Sequence, residues 1–282
     1  MMSPIASKLS MLRKLSTSWA AVITLLSFTS PSFAHGDLHD SIDAVSQVIA
    51  RSPGDASLFL RRAELHRLHK DLTAAEADYA KAGELEPGLD AVGLGLAQLR
   101  LAQGRERDAL RLLDGFLAKQ PRHSEGRALR AEILEKRGVW KKADADLAAA
   151  VAFSPEPHYA TQRAQFLVRR GQPEAAARCL DEASRRRGRV PVLEQHALEI
   201  EERAGLTDAA LRRLEFLVGC EPRPDIWLAR KARLLGKAGR GAEARVAWQQ
   251  AGAAFEKIPA DRRTSKANLK LGAEIAAGNS TK

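Results

Sequence analysis

The chain has 282 residues, 45% of them hydrophobic, 28% charged and only 5% aromatic, with a formal net charge of +10. That is too apolar for a disordered chain, and aromatic side chains are too scarce for the stacking platforms that nucleic-acid binding needs, so the basic balance points to an acidic partner or an anionic envelope surface. No run of alternating β-branched residues bounded by turn signals occurs, which leaves an all-α reading.

Residues 1–34 read as a secretory leader. Lys8, Arg13 and Lys14 precede the apolar run Trp19 to Phe28, and Ser32-Phe33-Ala34 supplies the small residues of a cleavage site. A membrane anchor is the alternative, but a spanning helix needs roughly 20 apolar residues and this run has about half that. No cysteine stands at the cleavage point for a lipid anchor. The expectation is cleavage after Ala34, a mature protein starting at His35 with a formal charge of +7 once the three leader cations are gone, and a periplasmic or secreted location without a membrane span. Met11 is an alternative initiator that gives a better-proportioned leader.

Residues 35–55 read as a lone capping helix. From Asp37 to Arg51, Leu38, Ile42, Val45 and Ile49 share one stripe, which needs a neighbour to cover it. The segment HGDLHD also puts His35 at the free amine, with His39 one helical turn on. An amine and imidazoles can hold copper or zinc, the alternative being a solvated helix start capped by Asp37.

From residue 56 to 256 the chain is periodic. With units starting near Ala56, Asp90, Ser124, Pro157, Pro191 and Asp225, glycine occupies place 15 as Gly104, Gly138, Gly171, Gly205 and Gly239, with Lys70 in the first unit. Place 20 is alanine in every unit: Ala75, Ala109, Ala143, Ala176, Ala210 and Ala244. Place 8 is Ala63, Ala97, Ala131, Ala164 and Ala232, with Leu198 in the fifth. Place 24 is large: Tyr79, Leu113, Leu147, Leu180, Leu214 and Trp248. Pro53, Pro87, Pro121, Pro155 and Pro222 stand at unit ends. Small residues at places 8 and 20 let two helices approach closely while place 24 fills the space beside them. Glycine between them takes a left-handed turn, and proline stops the second helix. Each unit is therefore a helix hairpin, helix A followed by helix B.

This frame resembles the tetratricopeptide repeat, two antiparallel helices per 34 residues, over nearly all of the chain after the leader. The resemblance implies a right-handed α-solenoid of six units closed by terminal capping helices, the second at residues 257–282, where a final helix follows Pro259. It implies a cofactor-free interaction scaffold that takes a protein or peptide segment in its concave groove. Helix A places 2, 5, 9 and 12 should face that groove: Leu60, Glu64, Leu94, Gln98 and Leu101 in the first two units, then an acidic step of Glu125, Glu132 and Glu135 beside Ala128. The family's carboxylate clamp puts lysine and asparagine at places 5 and 9 of its first unit. Leu60 and Glu64 stand there, so a clamp of that type is not expected.

The chain departs from the family pattern at two places. Place 4 is Gly93, Arg127 or Glu194 where a large residue is usual, and place 7 is Arg62, Arg130, Arg163 or Lys231 where leucine is common, which predicts looser packing between units. The step from the third unit to the fourth is 33 residues rather than 34, and in the fourth unit RRRGRV, Arg185 to Val190, replaces the proline stop. A local kink is expected there, the arginines either completing a helix C-terminus or forming an anionic-ligand patch.

Signatures of chemistry are missing. No G-x-S-x-G, H-E-x-x-H, phosphate-binding glycine loop or C-x-x-C occurs, so the reading is non-catalytic. Cys179 at place 23 and Cys220 at place 30 of the next unit are offset by roughly 10 Å of helical rise, beyond the roughly 7 Å that a disulfide allows, and are expected free and partly buried. His66, at a usually packed place, reads as a core residue. An exported scaffold for a protein partner is the leading functional reading, and an envelope copper- or zinc-binding protein using His35 and His39 is the alternative.

Overall fold

The computed structural model describes residues 35–154 and 156–280, without the side chains of residues 35–37. The leader, the His35 and Asp37 side chains and Pro155 thus lie outside what it describes. Among the described residues there are fifteen helices and no strand. After α1 (His35–Arg51) come six hairpins: α2 (Ala56–Leu68) with α3 (Leu72–Leu85), α4 (Asp90–Ala102) with α5 (Glu106–Lys119), α6 (Ser124–Lys136) with α7 (Trp140–Phe153), α8 (Pro157–Arg169) with α9 (Pro173–Arg186), α10 (Pro191–Arg203) with α11 (Thr207–Cys220), and α12 (Pro224–Lys237) with α13 (Gly241–Glu256). α14 (Ala260–Arg263) and α15 (Lys266–Ser280) follow. Five A helices begin on the residue that the frame puts first. α12 begins one earlier because Pro224 suits the first helical turn.

Each A helix stops in the same way. Gly104, Gly138, Gly171, Gly205 and Gly239 have φ between 71° and 75°, and Lys70 accepts 68° despite its side chain. The next residue's N–H then reaches back five residues: Asp71 to His66, Arg105 to Arg100, Val139 to Leu134, Gln172 to Leu167, Leu206 to Glu201 and Arg240 to Leu235, all at 2.8–2.9 Å. These bonds satisfy a carbonyl that the helix end would otherwise leave open. In RRRGRV, two left-handed residues follow one another, Gly188 and Arg189, and Arg189 closes on the Ser184 carbonyl at 2.8 Å. Its side chain lies 3.8 Å over the Phe216 ring and bonds Glu194, while Arg186 bonds Glu182. The arginine turn thus joins hairpins four and five.

The core follows the frame. Alanines at places 8 and 20 are at most 1% exposed except Ala244 at 6%, and Tyr79, Leu113, Leu147, Leu180 and Leu214 at most 2%. Tyr79 fits because Gly95 faces it: a Cβ on Gly95 would stand 2.3 Å from the ring. Ile42, Val45 and Ile49 of α1 are buried, and α1 packs on α2.

The polar departures close the packing rather than loosen it. Arg62 donates twice to Asp78, at 2.7 Å each, and Arg130 and Arg127 both donate to Asp146 at 2.7–2.8 Å. Asp78 and Asp146 are at place 23 of helix B, so cation and carboxylate meet inside the hairpin. In hairpin five the charges are exchanged: Arg213 holds place 23 and pairs with Glu194 and Glu201 of α10 at 2.7–2.8 Å. Space remains at Gly93, beside a cavity of about 340 Å³ lined by Leu96, Leu112 and Phe116, and next to the Arg127–Arg130–Asp146 cluster, where a cavity of about 410 Å³ also touches Leu110 and Leu134.

Two further expectations change. The segment after Pro259 is two helices, because Thr264 Oγ1 bonds the Asp261 carbonyl and Ser265 Oγ accepts the Asn268 N–H, restarting the chain as α15. Both cysteines are free, but Cys220 is exposed while burial pushes the Cys179 thiol's pKa up. His66 is half-buried with Nε2 3.8 Å from Asp78.

Candidate functional site

Consecutive helices pack A against B throughout, and α2 also touches α4 and α8 touches α10, whereas no two B helices among the described residues make comparable contact. The closer contact on the A-helix side marks it as the face where a groove can form.

Most of the groove residues named from the sequence already have neighbours there. Leu60 is half-buried against the cluster of Val45, Phe59 and Tyr79, and Leu94 and Leu101 against Ala97, Leu113 and Ile133. Glu64 accepts a hydrogen bond from the Tyr79 hydroxyl and another from Arg67. Burial first, and the Glu64 carboxylate second, push the Tyr79 phenol's pKa up, which keeps it a donor.

The acidic step is bridged. Gln98 donates to Glu125 at 2.9 Å, joining α4 to α6, and Arg169 donates to Glu135 at 2.6 and 2.8 Å, joining α6 to α8. Glu132 pairs with Lys136 at 2.8 Å. Further on, Thr161 meets His196 at 3.0 Å and Arg230 donates to Glu202 at 2.7 Å, so each A helix from α4 to α12 is tied to the next by side chains. The sequence pattern misses this because each partner sits about one repeat away.

Another open stretch lies farther along the array, beyond the residues named from the sequence. Between α8 and α10 a cavity of about 220 Å³ is floored by Ala164, Val168 and Ile200 and rimmed by His196, Glu199 and Arg203. Val168 is 40% exposed, and Glu199 and Arg203 have no ion-pair partner among the described residues. The legible signal was Val168 itself: it holds place 12, where the neighbouring units carry Glu135 and Glu202, both bridged.

At the N-terminal end, His39 stands 3.8 Å from Asp43 and its ring centroid 6.5 Å from that of His69. Among the described residues no three His, Cys, Asp or Glu side chains converge as a metal site. No described helix is long and apolar enough to cross a membrane.

Family models described as tetratricopeptide repeat match residues 33–88 and 66–133. No curated protein matches the sequence. Among solved structures, the C-terminal part of a TPR repeat-containing protein from Cytophaga hutchinsonii is similar at 12% identity and a TM-score of 0.59, covering 83% of this chain and 94% of its own. Yeast Tom70 is similar at 17% identity and a TM-score of 0.53, covering 82% of this chain and 46% of its own. Pseudomonas aeruginosa pilF is similar at 14% identity and a TM-score of 0.50, covering 80% and 99%. At these identities the likeness concerns the fold alone. Six hairpins in one frame, the first two of them within the residues matched by the family models, make this chain an all-helical stacked array of helix-turn-helix units with the tetratricopeptide repeat fold.

Proposed function

We propose that this protein is an exported scaffold that binds a segment of another protein along its A-helix face. The observation that carries this reading is the α8–α10 cavity, an apolar floor beside two uncommitted charges of opposite sign, Glu199 and Arg203. Such a pocket accepts one aliphatic or aromatic side chain of a partner, while the two charges read the polar groups flanking it. The half-buried Leu94 and Leu101 with Gln98 extend the same face toward α4. Export rests on the leader pattern of residues 1–34, and the proposed compartment is the periplasm or the cell exterior.

The test is affinity capture from envelope extracts with wild-type protein and two variants, Val168→Glu and Glu199→Lys. Both positions are on the open face, so melting temperature and helicity should stay at wild-type values while capture of a shared partner falls at least tenfold. Equal capture by all three proteins would overturn the A-face reading.

A further inference from the structure

Where α6 and α8 end, the turns of hairpins three and four form an edge unlike the others. The stretches KRGVWKKA, Lys136 to Ala143, and VRRGQP, Val168 to Pro173, together carry six cations and no carboxylate. The matching turns of hairpins two and five, QGRERDA and AGLTDAA, mix signs or carry few charges. Within the basic edge, Lys136 and Arg169 are engaged by Glu132 and Glu135, whereas Arg137, Lys141 and Lys142 have no ion-pair partner among the described residues.

Large apolar side chains stand among these cations. Val139 and Trp140 are 38% and 39% exposed. The Trp140 ring is held from hairpin four by the Arg170 guanidinium, 4.3 Å from its centroid, and rests near Gly138, whose added Cβ would meet it at 3.7 Å. A tryptophan exposed at a projecting turn, fixed by a guanidinium and flanked by unpaired lysines, is not explained by the repeat core, since the same place in hairpins one, two, four and five is Leu72, Glu106, Pro173 or Thr207.

We propose that this edge docks the protein on an anionic phospholipid surface, with Val139 and Trp140 at headgroup level and Arg137, Lys141, Lys142 and Arg170 facing lipid phosphates. Charge complementarity selects an anionic partner, and the apolar pair selects a bilayer: half-exposed Val139 and Trp140 among unpaired cations match the interfacial position of tryptophan and the surface potential of acidic lipids. None of these docking residues lines the α8–α10 cavity, so this docking stands or falls separately from the partner-binding reading.

The experiment uses protein beginning at His35, which contains every described helix and core cluster. Sedimentation with phosphatidylglycerol–phosphatidylethanolamine vesicles should show binding at 150 mM salt that is weakened at 500 mM and undetectable with phosphatidylcholine vesicles. Lys141→Glu with Lys142→Glu should lower partitioning at least about tenfold, since each cation near such a surface contributes severalfold. Arg262→Glu with Lys266→Glu, the same charge change at the other end of the array, should alter it less than twofold. Lipids brominated near the headgroup should quench fluorescence in wild type and not in Trp140→Phe, whose remaining emission comes from Trp227 and Trp248. Equal partitioning of the two charge variants, quenching unchanged in Trp140→Phe, or a soluble glutamate-rich peptide that binds this edge more tightly than the vesicles would each overturn the proposal.

Discussion

Hairpins one and five place a charge at the same structural position with opposite polarity. In the first, Arg62 on α2 reaches across to Asp78 on α3 and also donates to Ser46 of α1 at 3.0 Å. In the fifth, the arginine has moved to helix B: Arg213 donates to Glu201 and Glu194 of α10 and pairs with Asp181 of the preceding hairpin at 2.8 Å. Hairpin two has no charge there at all, with Leu96 and Leu112 at the two places. Place 23 thus accepts a carboxylate, an arginine or a leucine, provided that helix A supplies a matching side chain, from place 7 in the first and second hairpins and from places 4 and 11 in the fifth. This is what the energetics of buried ion pairs predict: the intact pair gains little over a hydrophobic pair, and a broken one is costly.

The comparison breaks most visibly at Arg213. Its side chain is 9% exposed and those of Glu194 and Glu201 are 3% exposed, so Arg213→Leu leaves two buried carboxylates short of their counter-charge. The loss expected in chemical denaturation is about 3–5 kcal/mol. Burial pulls the Glu194 carboxyl up, yet the hydrogen bonds from Arg189 and Arg213 outweigh it and hold its pKa below the usual carboxylate range. Hairpin one should be more forgiving, because the Arg62 side chain is 22% exposed and can turn to water. Asp78→Ala is expected to cost about 1–3 kcal/mol. The double variant Arg62→Leu with Asp78→Leu, which copies hairpin two, is expected within about 1 kcal/mol of wild type. A double variant as damaged as Asp78→Ala would show that the pair specifies the hairpin rather than being exchangeable with leucines.

The smallest effect is expected between hairpins one and two, where Arg100 and Gln103 of the second hairpin hold Glu76 of α3. Their hydrogen bonds, Arg100 first, bring the Glu76 carboxyl down to about 2 from 4.5. Because the folded pKa is depressed, this contribution is complete above the unfolded value and fades as pH falls from about 4.5 to about 2. Glu76 is 44% exposed, so Glu76→Gln should cost less than about 1 kcal/mol at pH 7, with the difference from wild type vanishing toward pH 2 in urea titrations.

The repeat itself was legible in the sequence because its determinants act over a few residues or within one hairpin. Glycine at place 15 marks a left-handed turn, alanines at places 8 and 20 mark the closest approach of two helices, and prolines mark the stops. These local rules place the start of every A helix to within one residue. They do not state what an arginine at place 7 does. Read against leucine it predicted loose packing, and only the folded hairpin shows Asp78 or Asp146 opposite it, because sixteen residues of chain separate the partners. The A-helix face divided in the same way. Periodicity put Glu125, Glu132 and Glu135 on the A-helix side, while the stacking of successive units decided that Gln98 and Arg169 would occupy two of them and that Val168, Glu199 and Arg203 would remain available around a cavity. Turn chemistry and helix contact are set by neighbours in sequence. Charge pairing and open surface are set by which side chains from different repeats arrive within a few ångströms, and that is decided by tertiary stacking.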